Sequence, residues 1–468
     1  MSDGLEVARA ALAGRPAWLV GGAVRDRVLG RPLTDLDLVV DGDPEEAARA
    51  IAQAAGRAAC FALSEDFGAW RVVARDKAWQ ADLEGLRGGS LQVDLELRDF
   101  TVNAIAEPLE GGPAIDPLNG LEDLTAGRLR MAGESAFVDD PLRVLRLVRI
   151  AVELELEPDE QTVRAARAQA GELNSVSAER VFMELRRIVA SPRARRGIEL
   201  LNELGATAVV LGELEALKGV EQSRFHHLDV YGHTLAVLDR AIELQADPSA
   251  ALGDEYTADL LELLNEPLAD EMTRGEALRW GALLHDAAKP LTRGVRPEDG
   301  RVTFIGHDAK GAELARTVLA RLRASERLRA HAAALVRNHL RLGFLVHEPQ
   351  PLARRTVYTY LRACDPVEVD VTLLSVADRL ATRGDSAQQA IDAHLRVARA
   401  MLRDALSWRA EGPPQPLLRG DELAADLGIP TGPRVGELLG ELTEAQYAGE
   451  ITTRDQALAF ARTLTTSG

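Results

Sequence analysis

Two aspartates and two glycines near the amino end of the chain have the types and the spacing needed for chemistry on a phosphate. Asp35 and Asp37 lie two apart in the segment TDLDLVV, and Gly21 and Gly22 follow a short apolar run. Side chains two apart on a strand leave the same face, and two carboxylates on one face make a hard-oxygen site for Mg²⁺. Glycines let the backbone approach a bulky anion closely. The segment therefore predicts phosphoryl or nucleotidyl transfer.

The elements that must position these residues are predicted within the first 125 residues, where strands and helices are mixed. Alternating and apolar runs predict strands at Ala17–Val20, Leu36–Val40, Trp70–Ala74, Ala81–Leu83 and Ala104–Pro108. A helix is predicted over Glu45–Ala55, with Asp43 as its N-cap and Pro44 at its first position. From about Pro141 onward the patterns are almost all helical. We therefore expect an α+β fold in which the sheet comes first.

Length and composition indicate several domains. The chain has 468 residues, of which 46% are hydrophobic, so two to four domains with substantial cores are expected. Richness in Ala, Leu, Glu and Arg after residue 120 favours helix. Breaks are predicted near Glu215–Gly219 and at the sequence GPPQP, residues 412–416, which is typical of a linker.

Charge and cysteine content limit the possible partners and compartment. The formal net charge of −18 argues against a protein coated uniformly for nucleic acid, although residues 126–200 are basic relative to the rest. Cys60 and Cys364 provide neither a disulfide framework nor a cysteine-type zinc site, which fits a reducing cytoplasm. Because no run of 18 apolar residues occurs, we expect a cytoplasmic protein that does not interact with a membrane.

The glycine pair and the D-x-D, in this order and spacing, resemble the signature of the class II tRNA nucleotidyltransferase and poly(A) polymerase family, within the DNA polymerase β superfamily. The resemblance implies Mg²⁺-dependent, template-independent addition of C and/or A, from CTP and ATP, to tRNA 3′ ends. It assigns Asp35 and Asp37 to the metals, and Gly21, Gly22 and Arg25 to the triphosphate. The family's third acidic residue usually lies five positions before an arginine, which here selects Asp82.

Two further motifs extend the resemblance toward the sugar and the base. The segment LRDFTVNAIA, residues 97–106, resembles the family's second motif, which implies that Arg98, Asp99 and Asn103 approach the ribose. The segment DDPLRVLRLVRIA resembles the third motif, and its residues Asp140 and Arg143 are expected to be neighbours on one helix face that reads the base edge. The same arginine row continues through two residues expected to contact nucleotide or RNA, Arg146 and Arg149.

Residues 177–200 resemble the neck of the family and are rich in arginine. The arginines expected to meet the RNA backbone are Arg186, Arg187, Arg193, Arg195 and Arg196. Phosphate contacts of this kind position a substrate without reading its sequence. A solvated basic helix face explains the same residues equally well, so both interpretations stay open.

A second constellation, between residues 226 and 378, resembles the HD metal-dependent phosphohydrolase superfamily. Its ligand pattern is one histidine, an adjacent His-Asp pair and a distant aspartate, found here as His233, His285, Asp286 and Asp378. Two residues lie where binuclear relatives carry extra ligands, His307 and His339. Imidazole with carboxylate suits a transition metal such as Mn²⁺, Ni²⁺, Zn²⁺ or Fe. The resemblance implies hydrolysis of a phosphomonoester or a 2′,3′-cyclic phosphate at an RNA end, and the alternative is a degenerate HD domain that only binds RNA.

The combined expectation is a small mixed-sheet nucleotidyltransferase head followed by a mostly α-helical neck, an HD-type helical domain and a helical tail. The expected domains are residues 1–125, 126–215, 216–395 and 396–468. The expected partners are tRNA, CTP and ATP, with no obligate protein partner. Two alternatives stay open: a poly(A) polymerase or an enzyme adding only CC or only A, and an RNA-binding module with HD phosphohydrolase activity alone. The second alternative predicts a damaged D-x-D, whereas Asp35 and Asp37 are both present.

Overall fold

The computed structural model describes residues 4–64, 68–222, 228–382 and 387–466. The chain divides into two compact units, Met1–Val210 and Leu211–Gly468. Within the described residues, no helix is both long enough and apolar enough to cross a bilayer.

The first unit contains a six-stranded mixed sheet that includes every strand expected from the sequence. The strands are β1 Ala17–Val20, β2 Asp35–Val40, β3 Ala59–Ser64, β4 Ala69–Val73, β5 Gln80–Gly85 and β6 Ala106–Pro108. Their order in the sheet is β3-β4-β5-β2-β1-β6. The pairing of β2 with β5 is parallel, and the other pairings are antiparallel. The sequence patterns did not predict β3, and they placed the start of β6 two residues too early.

Short helices cover the sheet and then continue into a helical region. The helices of this unit are α1 Gly4–Ala11, α2 Gly21–Val28, α3 Pro44–Ala54, α4 Leu91–Glu96, α5 Gly120–Thr125, α6 Ala136–Asp139, α7 Arg143–Leu154, α8 Glu160–Gln169, α9 Ala178–Ala190, α10 Ala194–Glu203 and α11 Thr207–Val210. A small parallel ladder joins β7 Arg128–Leu129 to β8 Glu157–Pro158. The expected start of α3 is confirmed, because the Asp43 side chain accepts a hydrogen bond from the Glu45 backbone and Pro44 is the first helical residue.

The cores of this unit lie under the sheet and between the later helices. Val20, Val39 and Leu95 belong to one buried cluster, which anchors β1 and the strand β2 that carries Asp35 and Asp37. Helix α7 packs against α9 and α10, and it buries its apolar side chains between them. The sheet and the first turn of α7 are therefore held in one compact unit.

The second unit is almost entirely helical. Its helices are α12 Gly212–Glu215, α13 Val230–Ala246, α14 Ser249–Leu252, α15 Thr257–Asn265, α16 Arg274–Leu284, α17 Lys289–Thr292, α18 His307–Arg321, α19 Glu326–Asn338, α20 Arg341–Leu345, α21 Arg354–Cys364, α22 Glu368–Leu380, α23 Ala387–Glu411, α24 Gly420–Leu427, α25 Pro433–Tyr447 and α26 Arg454–Thr466. Two short hairpins pair β9 Pro267–Ala269 with β10 Met272–Thr273, and β11 Gly294–Val295 with β12 Val302–Thr303.

Two hydrophobic clusters lie among the described residues of this unit. The larger cluster is formed mainly by α13, α15, α16, α21, α22 and α23, and it includes Met401 and Trp408. The smaller cluster is formed by α24, α25 and α26 with Leu418 and Ile451. Because α23 continues to Glu411 and packs on the larger cluster, we propose that the tail begins after this helix and not at residue 396.

Candidate active site

Acidic side chains from two parallel strands meet in a cleft of the first unit. Asp37 of β2 and Asp82 of β5 are register partners, and both line a cleft of about 200 Å³. The Asp82 carboxylate accepts two hydrogen bonds from Arg71, at 2.6 Å from Nε and 2.7 Å from Nη2. Asp35 is exposed at the start of the same strand as Asp37, and its Oδ1 accepts a hydrogen bond of 2.6 Å from Gln80. The parallel register thus brings together carboxylates that are 45 residues apart in the sequence.

The Asp37 carboxyl is in an environment that disfavours its charge. The pKa of Asp37 is raised to about 6, mainly by burial; the Asp82 and Glu84 carboxylates contribute to this rise, and Arg98 and Arg25 oppose it. A buried carboxylate beside other carboxylates is stabilised when a cation joins the group. Oxygen ligands arranged in this way fit Mg²⁺, with Asp37 and Asp82 as the ligands inside the cleft.

The glycine pair lies directly beside this acidic group, at the start of α2. Gly21 has a φ of 67°, in the left-handed region that glycine adopts without strain. A Cβ on Gly21 would lie 2.9 Å from Arg98 Nη1 and 3.2 Å from Asp37 Oδ2. A Cβ on Gly22 would lie 3.3 Å from Arg25 Nη2. The missing side chains leave space beside two guanidinium groups and a helix N-terminus, which is an arrangement suited to a polyphosphate.

A continuous set of hydrogen bonds links α2 to α7 through the segment between them. Arg25 Nη1 donates to Asn103 Oδ1 at 2.6 Å, and Asn103 Nδ2 donates to Asp99 Oδ1 at 2.9 Å. Asp99 Oδ2 accepts from Arg146, at 2.9 Å from Nε and 2.6 Å from Nη2. Burial alone would raise the pKa of Asp99, but Arg146 and Asn103 hold it below its ordinary value. Three of these residues, Asp99, Asn103 and Arg146, also line the cleft.

The cleft includes side chains that the sequence motifs did not indicate. Leu63, Val39 and Glu84 line it together with Asp37 and Asp82. Glu84 lies two residues after Asp82 on β5, so the alternation of side chains along a strand places both on one face. That alternation could have identified Glu84 from the sequence. Leu63 could not have been identified, because β3 was not predicted.

Asp140 and Arg143 are placed differently from the expected pair on one helix face. Asp140 is extended and precedes α7, whose first residue is Arg143. The Asp140 carboxylate pairs with Arg180 at 2.7 Å. The Arg143 guanidinium donates to backbone carbonyls, including those of Leu97 at 2.9 Å and Arg98 at 3.3 Å. Asp140 is therefore outside the helix, but a turn keeps it next to Arg143, whose backbone N–H donates to the Asp140 carbonyl at 3.0 Å. Base reading by this pair remains a prediction.

Arg149 does not line the cleft. It is buried with 6% of its surface exposed, and it donates to Glu184 Oε2 at 2.5 Å and to Glu153 Oε2 at 3.0 Å. Two carboxylates therefore hold this guanidinium between α7 and α9. The row of arginines on α7 divides into Arg146, which lines the cleft, and Arg149, which stabilises helix packing.

The arginines of the neck are exposed to different degrees and mostly paired. Arg186 is partly buried, and the other four are exposed or half-buried. The ion pairs of these four residues are Arg187 with Glu153, Arg193 with Glu155, Arg195 with Glu199, and Arg196 with Glu203 and Glu157. An RNA phosphate approaching this surface would compete with glutamates. The RNA-binding assignment of these arginines remains a prediction.

The second unit brings the histidines and aspartates of the second constellation into one buried cluster. Ligand atoms of His233, His285 and Asp286 lie within 4.8 Å of one another. His285 Nε2 lies 3.1 Å from Asp286 Oδ2, and His233 Nε2 lies 3.0 Å from Asp378 Oδ1. Lys289 Nζ lies 2.7 Å from Asp286 Oδ2. The four residues predicted from the sequence therefore come from α13, the end of α16 and α22, and they meet at one point.

The two additional histidines complete a second group that shares Asp286. Ligand atoms of Asp286, His307 and His339 also lie within 4.8 Å of one another. The Nδ1 atoms of His285, His307 and His339 contact the backbone carbonyls of Ala282, Phe304 and Val336, at 2.8, 2.7 and 2.6 Å. Such contacts fix the tautomer so that each Nε2 carries the free lone pair, which is the form that binds a metal.

The charge states of His339 and Asp286 fit the neutral imidazole and ionised carboxylate that metal binding requires. Burial alone would lower the pKa of His285, but Asp286 and Asp378 raise it above its ordinary value, so a metal bound there would displace a proton. Burial, reinforced by His285 and His307, lowers the pKa of His339 to about 4, so this ring is neutral near pH 7. Burial alone would raise the pKa of Asp286, but His285 and Lys289 hold it well below its ordinary value. The donor set of imidazoles and carboxylates suits a divalent transition metal.

Models of known protein families match separate parts of the chain, one covering the acidic cleft and another covering the histidine–aspartate cluster. The sequence model of the Poly A polymerase head domain matches residues 17–130, and the model described as the probable RNA and SrmB-binding site of polymerase A matches residues 155–218. The HD domain model matches residues 230–383. An A-adding tRNA nucleotidyltransferase of Deinococcus radiodurans is 40% identical over 449 residues, which cover 95% of this chain and 94% of the relative.

The chain belongs to the tRNA nucleotidyltransferase and poly(A) polymerase family. A second tRNA nucleotidyltransferase, the CC-adding protein of Thermus thermophilus, is 36% identical over 454 residues, covering 95% of this chain and 93% of the relative. Among solved structures, the Thermotoga maritima CCA-adding enzyme complexed with tRNA is similar with a TM-score of 0.61 and 17% identity, covering 98% of this chain and 95% of that one. The expected fold, a mixed-sheet head followed by helical neck, HD domain and tail, is confirmed as the fold of this family.

Proposed function

We propose that the protein adds cytidylate or adenylate residues from CTP or ATP to the 3′ ends of tRNA, without a template. The observation that carries this proposal is the alignment of Asp37 and Asp82 on neighbouring parallel strands, directly beside a glycine turn that faces Arg98 and Arg25. The names of the relatives, one A-adding and one CC-adding, support adenylate and cytidylate as the transferred groups.

In this reaction the 3′-hydroxyl oxygen of the RNA forms a bond to the α-phosphorus of the nucleoside triphosphate. The bond from that phosphorus to the bridging oxygen breaks, pyrophosphate leaves, and the hydroxyl proton is lost to solvent. Asp35, Asp37 and Asp82 would hold Mg²⁺, which neutralises the charge of the triphosphate and of the leaving group. Asp82 would exchange its ion pair with Arg71 for this role.

The remaining residues of the cleft would hold the substrate. Gly21, Gly22 and Arg25 would bind the β- and γ-phosphates through backbone N–H groups and a guanidinium. Four residues that line the cleft would fix the ribose: Arg98, Asp99, Asn103 and Arg146. The last three are held in place by the hydrogen bonds that link α2 to α7.

Asp140 and Arg143 would select the base. Asp140 and Arg143 lie near the start of α7, where a carboxylate and a guanidinium provide both an acceptor and donors for a base edge. Their present partners, Arg180 and the carbonyls of residues 97 and 98, would be exchanged for the base.

The two free thiols, Cys60 and Cys364, suit the reducing cytoplasm in which tRNA is processed.

The proposal is tested with tRNA lacking its 3′-terminal nucleotides, Mg²⁺ and labelled triphosphates. The product ladder is read with CTP alone, ATP alone and both together. Extension by C, by A or by both supports the proposal and identifies the nucleotides used. Absence of extension with every combination would remove it.

The cluster in the second unit favours a second activity, metal-dependent hydrolysis of a phosphomonoester or 2′,3′-cyclic phosphate at an RNA end. Six residues would share the metals: His233, His285, Asp286, Asp378, His307 and His339. The contacts that orient three of the histidines support metal binding by Nε2. The test is release of phosphate, or opening of the cyclic phosphate, in the presence of Mn²⁺, Ni²⁺ or Mg²⁺. No turnover with any of these ions would leave the cluster with a structural role.

A further inference from the structure

An unassigned surface lies on the same face of the sheet as the acidic residues. The register places Asp37 opposite Asp82, Asp82 opposite Arg71, and Arg71 opposite Phe61. Residues directly opposite each other on neighbouring strands project to the same face. The four side chains therefore form a row that crosses β2, β5, β4 and β3.

The far end of this row is apolar and exposed. Phe61 is 45% exposed and Leu63 is 42% exposed, although both belong to a strand of the sheet. Leu63 also lines the catalytic cleft together with Asp37 and Asp82. The apolar surface is therefore continuous with the proposed active site.

We propose that Phe61, Leu63 and Arg71 receive the last nucleotides of the RNA 3′ end. This proposal rests on the proposed function. Phe61 provides a face on which a base stacks, Leu63 extends the apolar contact toward the cleft, and Arg71 contacts the adjacent phosphate. When Asp82 turns to the metal, the Arg71 guanidinium that now donates two hydrogen bonds to it is released, and its N–H donors become available to that phosphate.

The order of the strands indicates that the RNA 3′ end, and not the nucleoside triphosphate, binds at Phe61, Leu63 and Arg71. In phosphoryl transfer the attacking and leaving oxygens lie roughly in line on opposite sides of the phosphorus. The polyphosphate site is at Gly21 and Gly22, which follow β1, whereas β3 lies on the other side of β2 in the sheet. The attacking hydroxyl must therefore approach from the side of β5, β4 and β3. Strands are spaced about 4.8 Å apart, so β3 lies roughly 14 Å from β2, within reach of the nucleotides that precede the reacting end.

The test measures initial rates of the full-length protein while tRNA lacking its 3′ end and the triphosphate are varied separately. We expect Phe61→Ala to raise the KM for the tRNA about tenfold and to change the KM for the triphosphate less than about twofold, because loss of a stacking side chain acts on the RNA alone. Phe61→Tyr keeps the aromatic face and should restore the KM for the tRNA. Phe344→Ala is the matched control, since Phe344 is an exposed phenylalanine of the second unit.

A second measurement does not require turnover. The affinities of two labelled tRNAs, one with and one without the unpaired nucleotide at its 3′ end, are compared without triphosphate. The affinity gained from that nucleotide in the wild-type protein should disappear in Phe61→Ala and persist in Phe344→Ala. Circular dichroism confirms that each variant is folded.

The outcomes separate this inference from the proposed function. Absence of extension by the wild-type protein removes the proposed function and, with it, the inference. Extension by the wild type together with an unchanged KM for the tRNA in Phe61→Ala overturns the inference alone. A rise in the KM for the triphosphate with an unchanged KM for the tRNA also overturns it, and assigns Phe61 to the incoming base.

Discussion

Replacing the Asp37 carboxyl by an amide should stabilise the metal-free protein while abolishing transfer. Burial raises the pKa of Asp37 from 3.8 to about 6. An acid whose pKa is higher in the folded state loses stability as the pH rises, because the unfolded chain releases the proton first. At about 1.4 kcal/mol per unit, the full cost at pH 8 is about 3 kcal/mol. At pH 4.5 the folded carboxyl is protonated, and the remaining cost is about 1 kcal/mol.

Thermal unfolding of the full-length protein in EDTA is monitored by calorimetry at the two pH values given above. Asp37→Asn should raise the melting temperature of the first unit at pH 8 by about 6–12 °C, and by much less at pH 4.5. Asp35→Asn is the matched control, because Asp35 is exposed on the same strand and its replacement should change stability little. Addition of Mg²⁺ should raise the melting temperature of the wild type more than that of Asp37→Asn. If Asp37→Asn is less stable than the wild type at pH 8 without metal, the Asp37 carboxylate does not destabilise the folded protein.

Three further predictions concern the hydrogen-bonded residues and the second unit. Arg146→Ala leaves Asp99 buried without its main partner. Denaturant unfolding should therefore show that the first unit is destabilised by about 3–5 kcal/mol. A loss below about 1 kcal/mol would contradict the pairing. Asp140→Ala and Arg143→Ala should change the ratio of C to A incorporation more than the KM for the triphosphates, and an unchanged ratio would argue against base selection by these residues. His285→Ala should lose bound transition metal, measured by elemental analysis, together with phosphohydrolase activity, while nucleotide addition is retained; unchanged metal content would show that the ligands lie elsewhere.

The sequence predicted the elements that local patterns specify. Alternating residues and apolar runs identified β1, β2, β4, β5 and β6, and the Asp43–Pro44 pair identified the start of α3. The strand β3 was missed because its sequence, ACFALS, contains no β-branched residue and only one aromatic residue, so its strand propensity is low. The register of the parallel pair β2–β5, which joins Asp37 to Asp82, depends on tertiary packing and could only be expected from the family resemblance.

The candidate sites, like the strands, were predicted only in part, because some of their contacts depend on tertiary packing. The resemblance to the HD superfamily identified the residues of the metal-ligand cluster around Asp286, and the structure brings their ligand atoms together. The arginines of α7 could not be distinguished in this way. Arg146 lines the cleft and Arg149 is buried between glutamates, although both are arginines on one helix. Which carboxylate reaches each guanidinium is decided by the packing of α7 against α9.

Nucleotide addition should depend on metal held by the carboxylates of β2, and single-turnover extension measures this dependence. Wild-type protein, Asp35→Ala and Asp37→Ala are each incubated with Mg²⁺, labelled CTP and ATP, and tRNA lacking its 3′ end, and extension is followed over a single turnover. We expect rapid extension by the wild type and none by either folded variant. Retained extension by both variants would show that the metal is held by other residues.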